Sequence, residues 1–206
     1  MGFIFGNPKI KKAMKKSIVA VCLLLIAVNV FAQTKWTTDA AHTSVTFNVT
    51  HMMISEVDGK FTTFSGTMTS SKPDFTDAQI EFTADVNSIN TDNEMRDKHL
   101  KSKDFFSADT FPQIKFVSTY IKKISDKKYI LEGNLTIRDV TKPVKFDVTY
   151  GGTVKDGYGN TKAGFKATTT INRLDYHLNW NKMVEAGAVV SSDVNVIINA
   201  EFAQQK

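Results

Sequence analysis

The chain is poor in the residues that carry covalent and phosphate chemistry. Its single cysteine is Cys22, within the first 32 residues. Residues 33–206 therefore offer no disulfide, no thiol nucleophile and no thiolate metal ligand. The sequence also lacks a Gly-x-Ser-x-Gly elbow and a glycine loop that could hold a phosphate. These absences argue against an enzyme with a nucleophilic or nucleotide-dependent mechanism.

The chain also has no surplus of positive charge when residues 1–32 are left out of the count. The formal net charge is +5, but residues 1–32 contain five lysines and no acidic residue. Residues 33–206 then carry 21 basic and 21 acidic residues. Proteins that bind polyanions need clustered surplus lysine and arginine. We therefore expect no nucleic acid partner.

No hydrophobic run is long enough for a membrane span. The longest, residues 18–28, is shorter than the roughly 20 apolar residues that cross a bilayer. Lysines precede it, and Val30, Phe31 and Ala32 follow with the small residues that a signal peptidase reads. The pattern predicts a signal peptide over 1–32, with Met14 as an alternative start, and one domain over 33–206. We expect an exported protein without stable membrane insertion.

Alternation of apolar and polar residues is the strongest pattern that is present. In one run, Val45, Phe47 and Val49 alternate with Thr46 and Asn48. Such runs give a strand one dry face and one wet face. A sheet without partner helices buries its dry face by curling onto itself, as a barrel or a sandwich. The sequence predicts an all-β fold of eight antiparallel strands, and of the two arrangements we expect the β-barrel. The predicted strands span residues 44–51, 59–70, 78–87, 113–122, 128–138, 141–151, 161–172 and 192–203.

Two segments interrupt the alternation. Thr91 and Glu94 have the spacing of a capping box, which predicts a short helix over 92–100, between the third and fourth predicted strands. Residues 173–190 are long for a hairpin connection, and loops of that length are usually functional or mobile. We expect these segments to form the lid and rim of the barrel.

The interior of the predicted barrel has two alternatives. Eight strands enclose a space that is either filled by side chains or holds one small ligand, and the alternation is the same for both. Small residues at inward positions, Ala84, Gly133, Ala167 and Ala200, favour a cavity. The predicted apolar lining consists of Val45, Phe47, Val49, Phe82, Ala84, Phe116, Leu135, Phe146, Phe165, Ala167, Val196 and Ile198.

A series of motifs runs along residues 39–176. They are Asp39-x-x-His42-x-Ser44, Gly59-x-Phe61-x-x-Phe64-x-Gly66, Arg96-Asp97-x-His99-Leu100-Lys101-Ser102-x-Asp104-Phe105-Phe106, Gly133-x-Leu135-Thr136-Ile137 and Asn172-Arg173-x-Asp175-Tyr176. Together these motifs resemble the YceI family. The resemblance implies a lipocalin-like barrel, secreted to the periplasm, that binds a polyisoprenoid or similar long-chain lipid, such as a polyprenyl phosphate or an isoprenoid quinone, and needs no other cofactor. His177 departs from the family pattern, which usually has a glycine there; a glycine would indicate positive φ.

Polar residues at strand ends and in the two irregular segments are candidates for the head group of such a ligand. Arg96 can pair with a phosphate or donate to a quinone oxygen; equally, Arg96 and Asp97 can fix the helix to the barrel. Trp180, with an apolar body and one donor, suits a lid or the core. The predicted head-group and rim residues are His42, His51, Arg96, Asp97, His99, Arg173, Asp175 and Trp180.

Spacing limits what these residues can do together. Arg173 and Asp175 share a face of an extended segment, so we expect a salt bridge between them or contact with the helix. His42 and His51 lie at the two ends of the first predicted strand, about 30 Å apart at the usual rise. We therefore predict no shared metal site.

Three functional hypotheses follow. The main one is a periplasmic carrier that holds a long-chain lipid inside the barrel and is not an enzyme. The second is a stress-related interaction protein with a packed barrel that docks a partner through residues 173–190. The third is a lipid isomerase or hydrolase with Arg96, His99 and His177 as acid–base candidates. The sequence leaves a homodimer open.

Overall fold

The computed structural model describes residue 2, residues 33–185 and residues 187–205. Apart from residue 2, the predicted signal peptide and the alternative start at Met14 lie outside the described residues. In the described part of the chain, no helix has the length and apolarity that a membrane crossing requires. The elements are β1 Thr34–Thr38, β2 Ser44–His51, β3 Ser55–Phe61, β4 Phe64–Ser70, β5 Gln79–Asp85, β6 Ile89–Asn90, α1 Glu94–Lys101, β7 Gln113–Ser125, β8 Lys128–Ile137, β9 Val140–Lys155, β10 Thr161–Asn172, β11 Met183–Val184, β12 Gly187–Ala188 and β13 Val190–Gln204, with 3₁₀ turns at Val86–Ser88 and Arg173–Tyr176.

Eight antiparallel strands close into a barrel. Their order is β1, β4, β5, β7, β8, β9, β10 and β13, and β1 pairs with β13 to complete the ring. Strand β2 also pairs with β13, next to β1. Strand β3 pairs with β2, and the short β6 pairs with β3. The predicted all-β, eight-stranded antiparallel barrel is confirmed.

The predicted strands differ from the observed ones at a corner. The run 59–70 was wrong as one strand, because the chain changes partners at Thr62 and Thr63: β3 pairs with β2, and β4 pairs with β1 and β5. Both halves face the same interior, so the alternation continues across the corner. Strand β1 was missed because it is five residues long and buries only Trp36.

Helix α1 begins two residues later than predicted, and the capping box is wrong. The N-cap is Asn93, whose side-chain oxygen accepts from the Arg96 backbone N–H at 3.0 Å. Thr91 instead donates through its backbone N–H and hydroxyl to Asp97 at 2.9 and 2.6 Å. Thr91 and Asn93 are both good cap residues. The bond to Asp97 already occupies Thr91, which leaves the cap to Asn93.

A hydrophobic plug closes one end of the barrel. The connection between β4 and β5 folds inward and buries Phe75, whose ring packs against Trp36 at 5.5 Å and Phe165 at 5.3 Å between centroids. Met68 and Phe202 are buried in the same cluster. We call this the plugged end. The strand register places residues 173–190 at the other end, which we call the mouth. Helix α1 lies there too, because its His99 ring contacts Trp180.

Candidate ligand cavity

The barrel is hollow. A cavity of about 560 Å³ lies inside it, a volume typical of small-molecule sites. It is bordered by β13 from Val190 at the mouth to Phe202 at the plug. That stretch of strand is about 40 Å long at the usual rise, or about 30 Å along the axis of a barrel with tilted strands. The cavity is therefore long and narrow, and the packed-barrel hypothesis loses its structural premise.

Every predicted apolar lining residue borders this cavity. The set consists of Val45, Phe47, Val49, Phe82, Ala84, Phe116, Leu135, Phe146, Phe165, Ala167, Val196 and Ile198. Further lining residues, such as Phe61 and Leu178, were missed. Phe61 continues the alternation into the corner between β3 and β4 and could have been found. Leu178 lies in a segment without any period.

Three glycines let phenylalanine rings lie flat against the wall. Phe47 covers Gly59, Phe82 covers Gly66 and Phe116 covers Gly133, in each case so closely that a Cβ atom on the glycine would overlap the ring. The rings therefore occupy the space over the neighbouring strand and leave the centre of the barrel open. Gly133 was predicted to leave room itself, but the Phe116 ring takes that room.

At the mouth, aromatic rings connect α1 to the segment 173–190. The His99 ring meets Phe105 and Trp180 edge-on, with centroids 5.1 and 4.9 Å apart. Its Nε2 atom lies 3.4 Å from the Asp104 carboxylate. His99, Trp180 and Phe105 all border the cavity. A group that projects from the cavity would meet this aromatic cluster.

Arg96 fixes the helix start. Its Nε donates to the Thr91 hydroxyl at 2.8 Å and its Nη2 to the Thr91 carbonyl at 2.7 Å. Arg96 borders the cavity, whereas Asp97 is directed at Thr91 and does not. The structure thus shows a network through Thr91 rather than a direct pair between Arg96 and Asp97.

Arg173 is a buried cation at the mouth. It borders the cavity and is only 3% exposed. Its Nε donates to the Ser191 carbonyl at 2.8 Å, and its Nη atoms donate to the carbonyls of Leu178, Trp180 and Val190. Burial lowers the pKa of the guanidinium.

The predicted salt bridge between Arg173 and Asp175 is wrong. The 3₁₀ turn Arg173–Tyr176 replaces the extended backbone, so the two side chains point in different directions. Asp175 pairs with Lys142 at 3.0 Å on the exposed surface and does not border the cavity. Among the described residues, no carboxylate lies within 4.0 Å of Arg173. Its guanidinium is instead surrounded by four backbone carbonyls that accept its hydrogen bonds.

The two histidines of β2 lie at opposite ends of the barrel. His51 borders the cavity at the mouth. His42 precedes β2 at the plugged end, is exposed, and contacts Asp39 at 3.1 Å. His42 does not border the cavity, so the structure does not bring it together with the polar residues at the mouth.

Asp39, His42 and Glu201 have the proximity of metal ligands, but a lysine neutralises them. The Lys162 ammonium lies 2.5 Å from the Asp39 carboxylate and 3.2 Å from that of Glu201. It takes the position that a cation would take. This cluster connects the end of β1 to β10 and β13.

The Lys162 cluster predicts an acid-dependent loss of stability. The hydrogen bonds from Lys162 and His42 lower the pKa of Asp39 to about 2 from an ordinary value of 3.8. Because the folded-state pKa is lowered, the contribution is complete above about pH 4 and disappears as the pH falls towards 2. We expect Asp39→Asn to lower the free energy of unfolding by about 1 to 2 kcal/mol at pH 7. Urea unfolding at pH 7 and pH 2.5 checks this. A deficit of equal size at both pH values would contradict it.

His177 adopts the positive φ that a glycine at this position of the family pattern would indicate. Its φ is 59° and its ψ 24°, in the left-handed region. The His177 Nδ1 atom lies 3.1 Å from both carboxylate oxygens of Asp139, and this contact offsets part of the cost of the left-handed backbone. The His177 carbonyl accepts from the Arg138 side chain at 2.6 Å. His177 does not border the cavity. The three acid–base candidates of the enzyme hypothesis are therefore not assembled around one space.

The barrel, the one short α-helix of the described residues and the apolar interior define a YceI-like protein. Residues 36–202 match the family model of the YceI-like domain, so the chain belongs to the YceI family. The UPF0312 protein SAS2572 of Staphylococcus aureus strain MSSA476 is 40% identical over 172 residues, which are 82% of this chain and 98% of that protein. The UPF0312 protein SA2479 of strain N315 is 38% identical with the same coverage.

Solved structures share the barrel. The Campylobacter jejuni YCEI protein is 31% identical and covers 76% of this chain and 90% of its own, with a TM-score of 0.66. Burkholderia cenocepacia BcnA is 24% identical, with coverages of 80% and 98% and a TM-score of 0.70. A polyisoprenoid binding domain from Saccharophagus degradans is 14% identical, with coverages of 82% and 98% and a TM-score of 0.61. The last two show a common fold only.

Proposed function

We propose that this protein is an exported carrier that holds a polyisoprenoid or similar long-chain lipid inside its barrel. The observation that carries the proposal is the long, narrow apolar cavity of about 560 Å³, closed by the plug at one end. Such a shape accommodates a chain better than a compact ligand. The fold neighbour from Saccharophagus degradans is a polyisoprenoid binding domain, which supports the choice of ligand class.

Affinity comes mainly from burial of the chain. Each Å² of apolar ligand surface removed from water contributes about 25 cal/mol. The walls offer phenylalanine, leucine, isoleucine and valine side chains along the whole cavity. Few polar atoms of the ligand can be satisfied there, so a polar head group remains at the mouth.

The mouth suits a head group that accepts hydrogen bonds. The positive charge of Arg173 has no carboxylate partner in the described part of the chain, and the aromatic cluster of His99, Phe105 and Trp180 lies beside the opening. A phosphate or a quinone oxygen is the kind of group that such a cation attracts. We assign no catalytic residue, and we place the carrier in the periplasm on the strength of the predicted signal peptide.

Native mass spectrometry of the protein, purified from its own host without detergent, tests the proposal. We expect a bound mass in the range of a polyprenyl or quinone lipid that organic extraction removes. The extracted protein should then bind a fluorescent polyprenyl probe saturably. A homogeneous empty protein that cannot be loaded would refute the carrier function.

A further inference from the structure

Exposed apolar side chains surround the mouth of the cavity. Ile54 is 84% exposed and follows Met53 at the tip of the β2–β3 hairpin. Met95 is 83% exposed on α1, and Met183 is 77% exposed on β11, followed by Val184. We call these five residues the mouth surface. Three separate segments of the chain contribute to it.

The mouth surface is continuous with the wall of the cavity. The Met52 backbone N–H donates to the Val189 carbonyl at 2.8 Å, and the Val189 N–H donates to the Lys182 carbonyl at 2.9 Å. These bonds connect the β2–β3 tip to the hairpin that carries Met183. Met95 and Val189 themselves border the cavity. Apolar side chains therefore lie at the edge of the cavity as well as on the exposed mouth surface, and a chain that leaves the cavity can contact both.

The β2–β3 tip has an unfavourable sequence for its backbone. Met52 and Met53 both have positive φ, 50° and 63°, and the Ile54 N–H donates to the His51 carbonyl at 3.2 Å. Two positive φ angles in a hairpin turn strongly favour Asn-Gly or similar pairs. Side chains without a local polar group are disfavoured there. Backbone strain that persists at a position indicates that the side chains there have a function.

We propose that the mouth surface docks onto a lipid bilayer, with the cavity opening towards the boundary between head groups and acyl chains. The inference rests on the proposed function, because a lipid cargo must leave and re-enter a membrane. Side chains on two hairpins and a helix protrude separately, which suits a fluid phase better than a flat protein partner. Flexible methionines suit it for the same reason.

Charges near the mouth surface predict how it binds. In sequence, Lys98 and Lys101 are near Glu94 and Asp104, and Lys182 is near Glu185. Neither sign of charge therefore dominates these segments. Anionic lipids attract polybasic segments, and this surface is not one. We therefore expect insertion of apolar side chains, with little dependence on salt or on anionic lipid.

The chain is well suited to a direct test by fluorescence. Cys22 is its only cysteine, so a Cys22→Ser background has no natural thiol. In it, Met53→Cys or Met183→Cys is labelled with an environment-sensitive dye and mixed with phosphatidylcholine vesicles. The control is Tyr158→Cys, which is 91% exposed in the β9–β10 turn at the plugged end. We expect a blue shift at 53 and 183 and none at 158. Equal shifts at all three sites, or no shift at 53 and 183, would overturn the proposal.

Vesicle flotation tests the same surface without a dye. We expect Met53→Ser, Ile54→Ser and Met183→Ser together to reduce the vesicle-bound fraction by about tenfold, as the loss of inserted apolar surface implies. Val154→Ser with Tyr158→Ser, which removes apolar surface at the plugged end, should change nothing. Binding that disappears in 0.5 M salt (about a 4 Å Debye length) would indicate a charge-driven contact and overturn the proposal. A triple variant that binds vesicles as well as the unsubstituted protein would also overturn it.

Binding of a fluorescent polyprenyl probe in vesicle-free solution separates this proposal from the carrier function. The triple variant should bind the probe like the unsubstituted protein but take it from vesicles more slowly. If no variant binds the probe, the carrier function fails, and flotation still reports on docking. If the triple variant takes up probe from vesicles at the unsubstituted rate, docking by this surface is wrong and the carrier function stands.

Discussion

Ala167→Trp is expected to weaken lipid binding strongly while the barrel stays folded. Ala167 lies in the middle of β10, opposite Val148 of β9 and Ile198 of β13, and borders the cavity. The largest side chain at this position blocks the narrow lumen between the mouth and the plug. We expect the affinity for a polyprenyl probe to fall at least tenfold, which corresponds to about 1.4 kcal/mol. Probe titration and the amount of co-purified lipid are the measurements.

The neighbouring residue provides a matched control. Lys166 is exposed because adjacent side chains on a strand point to opposite faces. Lys166→Trp adds the same ring outside the barrel and should leave binding unchanged. Urea unfolding of both variants establishes that they are folded. If Ala167→Trp binds lipid as well as Lys166→Trp does, the cavity is not the binding site.

Arg173→Met is expected to give the largest loss of stability among the mouth residues. The substitution removes the hydrogen bonds that Arg173 donates to the backbone carbonyls of Leu178, Trp180, Val190 and Ser191. Of these four, the Val190 carbonyl still accepts from the Asn181 side-chain amide at 2.9 Å. Each buried acceptor left without a partner costs about 1–3 kcal/mol. Because some carbonyls can turn to water, we expect the free energy of unfolding of the lipid-free protein to fall by about 3 kcal/mol.

Two further variants give this prediction its contrast. Arg173→Lys keeps the charge but cannot reach carbonyls in several directions, so we expect a loss nearly as large. Lys142→Met breaks the exposed pair with Asp175 and should cost less than about 1 kcal/mol. Urea unfolding of lipid-free protein compares them. An Arg173→Met protein as stable as Lys142→Met would mean that the buried bonds contribute little.

The sequence was informative wherever one backbone period continued. The period of two assigned side chains to the inner or outer face, which is why all predicted apolar lining residues border the cavity. The same period could not distinguish a barrel filled by side chains from a hollow one. That outcome depends on pairs across strands, such as Phe47 over Gly59, which alternation along one strand does not contain.

The predictions failed where the backbone changed from extended to 3₁₀ structure, or where contacts between distant segments determined the arrangement. Arg173 and Asp175 share a face only on an extended segment, and the 3₁₀ turn separates them. His42 and His51 were correctly placed at two strand ends, but only the folded connection that buries Phe75 determines which end is plugged. The mouth surface was missed because isolated exposed methionines have no pattern in the sequence.

The plug at Phe75 makes the barrel a tube with one opening. For a carrier of lipids with one polar end, a dead-ended tube imposes an order of events. The tail enters first and the head group last, and on release the head group leaves first. Whatever receives the cargo therefore meets its polar end before any of its chain, so recognition by the recipient precedes transfer.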